Sequence, residues 1–143
     1  MRPRLTPLAV AALFAISPGE APADPVAGAA LWGTAWRLQD LGGAGVLDRV
    51  EATLEFPSEG RVSGSGSCNR FTGTVKVGGG RIGFSGIAAT RRACPEAVMN
   101  QENAYLAALG KIERYESDGT NLYLYVEQTG ASLRFIRTDE AMP

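Results

Sequence analysis

The chain has 143 residues, with 14 basic and 15 acidic side chains, no histidine and a formal net charge of −1 at pH 7. Its length suits one domain with one core. So weak a charge argues against a nucleic-acid binder or a protein held on anionic membranes, because both need a basic field. The lack of histidine removes the commonest metal ligand and the usual general base, so we expect no metal and no cofactor.

The first 23 residues have the three-part pattern of a secretory signal peptide. Arg2 and Arg4 form a basic start, Leu8–Ile16 form a short apolar stretch, and residues 21–23 offer an A-x-A cleavage site. The apolar stretch is far shorter than the roughly 20 residues that span a bilayer, so an uncleaved anchor is the weaker alternative. No cysteine follows the stretch to carry a lipid. The pattern predicts cleavage before Asp24 and a periplasmic or secreted protein without a membrane span.

Residues 24–31 are rich in alanine, proline and glycine and predict a loose lead-in to a domain at 32–138, which a tail at 139–143 follows. Short runs of alternating apolar and polar residues, separated by turns with glycine or proline, predict a meander of antiparallel strands. The glycine-rich residues 42–45 are predicted to be a flexible break. The first predicted strands lie at 34–38, 52–56, 61–63, 72–77 and 81–84.

The period changes from strand to helix after residue 94. Pro95 is well placed as the first helical residue, because its missing N–H would be unpaired there anyway. Apolar residues recur at helical spacing through 97–109, and Gly110 offers a stop. The chain is therefore predicted to be mostly β with one α-helix, an α+β fold. The remaining strands are predicted at 112–115, 122–126 and 133–136.

Cys68 and Cys94 both follow the predicted cleavage site. An isolated pair of cysteines in an oxidising compartment favours a disulfide over a metal site. A zinc site is the alternative, but two thiolates would need carboxylates to complete it. We do not expect an enzyme, since a cysteine nucleophile would want a histidine and no paired carboxylates or Ser–Lys motif stand out.

The segments around these cysteines carry a family resemblance. Residues 67–73, Ser-Cys-Asn-Arg-Phe-Thr-Gly, are similar to the G-C-N-x-x-x-G core of the META domain (HslJ-like) family of exported bacterial envelope proteins. Residues 87–94 resemble the family's second motif, and 99–109 resemble its helix. A tryptophan-containing strand at Trp36 and a strand that ends at Phe56 also match. The resemblance extends over about residues 31–137.

This resemblance implies an antiparallel sheet curled into a partly open barrel and packed by a single helix. It also implies a non-catalytic envelope protein with a stress-associated role, working as a protein-interaction or chaperone-like module. The alternative is a carrier of a lipid or small amphiphile in a cleft between helix and barrel. The expected partner is thus an envelope protein or an amphiphile, with no nucleic acid, and we expect a monomer. Ser67 stands where the family usually has glycine, which argues against a left-handed backbone there.

Among the polar residues, Glu102 is the strongest candidate for a structural or binding role. It shares a helical stripe with Met99 and Leu106, so its carboxylate requires a partner. An ion pair with an arginine and a hydrogen bond to a loop backbone are the structural alternatives, and a charge that lines a binding cleft is the functional one. The arginines of the two motifs are Arg70, Arg91 and Arg92. The candidate structural or binding motif consists of Asn69, Arg70, Thr90, Arg91 and Glu102.

Two further features have both a structural and a functional interpretation. Asn69 is predicted to make a turn, because asparagine bonds readily to nearby backbone, and ligand binding is the alternative. Tyr123 and Tyr125 share one face of their strand, opposite a leucine-rich face that is expected to be core. The tyrosines are then half exposed, either as ordinary surface or as a contact patch for a protein or peptide.

Overall fold

The computed structural model describes residues 3–4, 31–127 and 129–139. The elements in chain order are β1 Ala35–Leu41, β2 Ala44–Gly45, β3 Thr53–Glu55, β4 Arg61–Ser65, β5 Arg70–Gly78, β6 Arg81–Ala89, α1 Glu96–Leu109, β7 Arg114–Ser117, β8 Asn121–Tyr125 and β9 Ser132–Arg137. The prediction of a mostly β chain with one helix is confirmed. The predicted signal peptide beyond residue 4, the lead-in up to residue 30 and tail residues 140–143 lie outside the described residues.

The strands pair antiparallel and form a ring. From β1 the sheet runs through β3 to β9 in chain order, and β9 pairs back with β1. Two neighbouring pairs of strands are joined by a single residue pair each. β3 meets β4 at the single pair Glu55 and Ser63, and β6 meets β7 at Arg81 and Arg114. The ring is therefore partly open, as the family resemblance implies.

Apolar side chains from alternating strand positions fill the ring, because successive side chains of a strand point to opposite faces. Each large side chain that is fully buried contributes about 1.5–3 kcal/mol of transfer free energy. Leu31, which ends the predicted lead-in, also belongs to this core. The bulkiest buried side chains are Trp36, Phe56, Phe71, Tyr105 and Phe135.

Helix α1 packs against the ring of strands through Tyr105, which is fully buried in the core. The tyrosine ring packs edge-on against Phe71 of β5, with centroids 5.9 Å apart, and tilted against Phe135 of β9 at 6.0 Å. Its hydroxyl donates a hydrogen bond to the backbone oxygen of Thr53 in β3 at 2.8 Å. Burial raises the pKa of Tyr105 well above its ordinary value, because the phenolate would be desolvated. One side chain thus joins the helix to three strands.

The ends of several elements differ from the prediction. Residues 42–45 are not a free break, because Ala44 and Gly45 form β2 and pair back onto β1. Pro95 precedes the helix in an extended conformation, with φ −52° and ψ 150°, and is not its first residue. Gly110 follows the helix as predicted. β6 runs on to Ala89, well past the predicted end at Phe84. Within the described part of the chain, no helix has the length and hydrophobicity needed to cross a membrane.

Candidate functional site

Glu102 is a buried carboxylate on α1, with only 3 % of its surface exposed. Its Oε1 accepts hydrogen bonds from the backbone N–H groups of Cys68 at 3.0 Å and Asn69 at 2.5 Å, and its Oε2 accepts one from Asn69 Nδ2 at 2.7 Å. These donors replace the water that the buried carboxylate loses. Glu102 thus bonds to a loop backbone, and among the described residues it has no arginine at ion-pair distance. Arg70 instead lies 3.9 Å from Glu55.

Asn69 is equally buried and uses both ends of its amide. Its Nδ2 donates to Glu102 and to the backbone oxygen of Arg92 at 3.2 Å. Its Oδ1 accepts from Thr90 Oγ1 at 3.0 Å and from the backbone N–H of Arg92 at 2.6 Å. Asparagine suits this position because its side chain carries both an NH₂ donor group and a separate carbonyl acceptor. An ionised aspartate has no donor, and serine has a single hydroxyl for both tasks. Asn69 therefore connects the β4–β5 loop with the segment between β6 and α1, which goes beyond the predicted turn.

The residues before Cys68 make room for the Glu102 carboxylate. A Cβ atom at Gly66 would lie 2.6 Å from Glu102 Oε1 and 2.8 Å from its Cγ, so a larger residue would collide with it. Ser67 has a φ of 130°, and the prediction that this position avoids a left-handed backbone is wrong. The loop turns at Ser67 so that the next two N–H groups point at Glu102. The Ser67 hydroxyl accepts a hydrogen bond from Gln101 Nε2 at 2.9 Å.

Cys68 and Cys94 form a disulfide, with their Cα atoms 6.0 Å apart across a separation of 26 residues. This confirms the predicted disulfide. Among the described residues, no three Asp, Glu or Cys side chains come close enough to hold a metal ion. The disulfide joins the loop that Glu102 holds to the residue that precedes Pro95 and α1. The β4–β5 loop is therefore fixed both by a covalent bond and by the hydrogen bonds of Asn69 and Glu102.

An open groove of about 500 Å³ lies beside this network. One wall is α1, whose Met99, Asn103 and Leu106 share one helix face. The opposite wall is the segment 89–93, and Asn69 and Glu102 also contribute to the lining. The sequence analysis named Met99 and Leu106 only as apolar neighbours of Glu102 and missed Asn103, although its spacing of four residues from Met99 marks a common face.

Most of the predicted motif meets at this groove. Thr90 and Arg91 lie on the wall opposite α1, and Asn69 and Glu102 lie beside them, whereas Arg70 is not among the lining residues. Arg91 and Arg92 are exposed. Neither has a carboxylate at ion-pair distance in the described ranges. The groove thus combines apolar side chains with two guanidinium groups that form no ion pair among the described residues.

Tyr123 and Tyr125 form a separate surface on the outer face of β8. Their rings are stacked, with centroids 6.4 Å apart and planes 16° from parallel. The Arg114 guanidinium lies 4.2 Å from the Tyr125 ring centroid, and the Tyr125 hydroxyl donates to Glu116 Oε2 at 3.2 Å. Burial, and then the Glu116 charge, raise the pKa of Tyr125. Leu122 and Leu124, which alternate with the tyrosines along β8, are buried, so the predicted division into a core face and a half-exposed face is confirmed.

The loop–helix network and the ring of strands agree with one family. Residues 29–140 match the META domain. The chain belongs to the META domain family. The Cys68–Asn69 loop, the segment 87–94 and helix α1, on which the resemblance depended, are therefore the central parts of a META domain.

Three solved structures are similar to this META domain. The NMR structure of a protein from Burkholderia xenovorans is 28% identical, with a TM-score of 0.64, and the match covers 84% of this chain and 93% of that one. A second NMR structure, 23% identical with a TM-score of 0.63, matches over 78% and 95%. A DUF4847 family protein from Bacteroides vulgatus ATCC 8482, 16% identical with a TM-score of 0.59, matches over 77% and 96%. The last two show the fold alone. No curated protein matches the chain.

Proposed function

We propose that this META domain works after export as a non-catalytic binding module of the cell envelope. It contacts another envelope protein through the groove between α1 and residues 89–93. The observation that carries this proposal is the composition of the groove. Met99 and Leu106 provide apolar surface next to Arg91 and Arg92, and methionine and arginine are both enriched in protein–protein interfaces.

The construction of the groove supports the same function. A binding surface gains affinity when its walls are ordered before the partner arrives, because less conformational freedom is lost on binding. The disulfide fixes the start of α1, and Asn69 fixes the backbone of Arg92 on the opposite wall. Glu102 connects the two walls through Asn69. The groove is therefore preorganised on both sides.

The chemistry of the residues around the groove supports a non-catalytic role. Cys68 and Cys94 are bonded to each other, and the chain has no histidine to activate a nucleophile. The two oxygens of Glu102 already accept hydrogen bonds from the loop, so this carboxylate is engaged in structure. The stress-associated role, which the family resemblance implies, fits a small exported domain held together by a disulfide.

Site-specific photo-cross-linking in the periplasm tests the proposed contact. A benzoylphenylalanine placed at Asn103, in the groove, is compared with one at Thr120, an exposed residue of the β7–β8 turn. We expect a defined protein adduct, identified by mass spectrometry, at Asn103 and not at Thr120. Adducts of equal pattern at both positions, or none at Asn103, would overturn the proposal.

An amphiphile carrier is the second candidate, because one small pocket is lined mostly by apolar residues. The pocket has a volume of about 210 Å³ and lies between the end of α1, strands β1 and β9, and the connection between β8 and β9. Its lining includes Leu41, Ala108, Ile112, Val126 and Leu133. This volume is below the roughly 300–1,000 Å³ of pockets that enclose drug-sized ligands, so only part of an acyl chain would enter.

Native mass spectrometry and solvent extraction of protein purified from the periplasm test the carrier. Co-purified lipid that is lost in Ala108→Trp, which fills the pocket, would favour the carrier over the protein-binding module. Asn100→Trp, on an exposed part of the same helix, is the matched control. Protein without lipid, which also fails to bind a fluorescent fatty acid, would contradict the carrier.

A further inference from the structure

The C-terminal part of β6, residues 83–89, has no strand partner on one side among the described residues. β6 pairs with β5 along its length, but within the described ranges its other side meets β7 only at Arg81, with one further backbone bond from the N–H of Ile82 to the oxygen of Glu113. A glycine at position 86, with φ 61°, begins a bulge that shifts the register between β5 and β6. Beyond the bulge, β6 continues to Ala89, and residues 89–91 border the groove. This stretch is an open sheet edge.

Alternate backbone N–H groups of this edge point away from β5. The Thr90 N–H bonds to Arg70 of β5, and the Arg92 N–H bonds to Asn69 on the same side. Because successive N–H groups of an extended chain point to opposite sides, those of Ile87, Ala89 and Arg91 point outward. Among the described residues, the Arg91 N–H has no hydrogen-bond partner, and no strand pairs with β6 on this side at Ile87 or Ala89. An added strand could pair with these N–H groups at alternate positions.

The charges beside the edge favour one class of occupant. Arg91 and Arg92 are exposed guanidinium groups without ion pairs among the described residues. Glu102 is the one acid in the described lining of the groove, and its oxygens are held by Cys68 and Asn69. The two guanidinium groups outnumber this one carboxylate, so the described lining has an excess of positive charge that attracts negatively charged side chains. Met99 and Leu106 on the facing wall give apolar surface for alternate side chains of a strand.

We propose that residues 87–91 bind an extended, acidic segment of a partner protein by strand addition, with that segment lying between β6 and α1. This inference rests on the proposed function and names its mode of recognition. Backbone hydrogen bonds to the edge provide a register, Arg91 and Arg92 select carboxylate side chains, and the apolar helix face receives the side chains between them.

A library of random ten-residue peptides, displayed on phage and selected on the purified mature protein, tests the proposal. We expect the enriched peptides to be acidic and rich in β-branched residues. A synthetic copy of the best peptide should lose affinity by roughly tenfold for Arg91→Glu/Arg92→Glu. The control is Arg61→Glu/Lys76→Glu, which changes the net charge equally at exposed residues of β4 and β5 outside the groove.

Methylation of the peptide backbone separates strand addition from simple charge attraction. Two versions of the peptide are compared, one N-methylated at its odd-numbered residues and the other at its even-numbered residues. One version should lose binding and the other should keep it, because only one set of peptide N–H groups faces the edge. Equal effects of both versions, equal losses in the two double variants, or no enrichment of acidic peptides would overturn the inference. If the inference fails while Asn103 still cross-links to an envelope protein, the proposed function stands with another mode of binding.

Discussion

The side chains of Asn69 and Glu102 meet at 2.7 Å, Nδ2 to Oε2, in the buried space between the β4–β5 loop and α1. Glu102 also accepts the backbone N–H of Asn69 itself, so the two residues are joined twice. Asn69 passes this connection on to Thr90 and Arg92. The cysteine–asparagine motif therefore connects the β4–β5 loop, α1 and the segment between β6 and α1. These connections hold the two walls of the groove in place.

Replacing Glu102 by glutamine should destabilise the protein by about 2–3 kcal/mol. The glutamine oxygen can still accept the two backbone N–H groups, but its NH₂ group then faces the NH₂ group of Asn69 and leaves buried donors unpaired. Urea unfolding of Glu102→Gln measures the loss. Glu96→Gln, at an exposed position of the same helix, is the control and should stay within about 0.5 kcal/mol of the wild type. Equal stability of the two variants would contradict the role of Glu102.

Gly66 should tolerate no side chain, because Glu102 occupies the space where a Cβ atom would lie. Gly66→Ala is expected to cost about 1–3 kcal/mol through overpacking. Gly45→Ala is the matched control, since nothing lies within 4 Å of its Cβ position and its φ is not positive. The free energies of unfolding of both variants check the difference. A harmless Gly66→Ala would show that the carboxylate can move away at little cost.

Ser67→Gly should stabilise the protein. At a φ of 130° a serine side chain is strained, and glycine removes that strain. The gain is expected to be about 0.5–1 kcal/mol, because the bond from Gln101 to the serine hydroxyl is lost at the same time. Thermal unfolding measures it. A lower melting temperature for Ser67→Gly would mean that the hydroxyl outweighs the backbone strain.

Loss of the disulfide should lower the free energy of unfolding by about 3–4 kcal/mol, mainly by freeing the unfolded chain. The variant is Cys68→Ala/Cys94→Ala, compared with the wild type under non-reducing conditions. Reduction of the wild type should reproduce most of the loss. Two titratable thiols in the non-reduced wild-type protein would contradict the disulfide.

Asp118 should contribute to the fall of stability in acid. Hydrogen bonds from the backbone N–H of Asn121 and then Thr120 lower the pKa of its carboxyl below the ordinary value. A carboxyl whose pKa is lowered by folding stabilises the protein above its unfolded pKa, and this contribution disappears as the pH falls through its folded pKa. Asp118→Asn should therefore differ most from the wild type at neutral pH, and the difference should shrink as the pH falls below the ordinary pKa of an aspartate. A difference that grows in acid would contradict this assignment.

Much of the fold follows from local patterns that the sequence displays directly. The alternation at 52–56 and 122–126 and the helical spacing up to Leu109 predicted their elements, because each has one face in the core. The bounds of β6 were harder to predict. Residues 85–91 contain glycine and small side chains without alternation, and their extended form depends on pairing with β5 and on bonds to Asn69.

The sequence predicted most residues of the site but did not determine their hydrogen-bond partners. The burial of Glu102 follows from its apolar neighbours on the helix, yet two of its three hydrogen-bond donors are backbone N–H groups, which every residue carries and no motif marks. The strained backbone at Ser67 is likewise dictated by the position of Glu102, 35 residues further along the chain, and not by serine itself. Such long-range causes leave no signature in the local sequence.

The most direct measurement of the binding function compares two bulky substitutions on α1. Asn103→Trp places an indole in the groove, whereas Asn100→Trp places one on an exposed part of the same helix outside the lining. Both variants are titrated with the protein that cross-links at Asn103. We expect Asn103→Trp to weaken binding at least about tenfold, which corresponds to about 1.4 kcal/mol, and Asn100→Trp to leave it unchanged. Equal affinities of both variants and the wild type would contradict the groove as the binding surface.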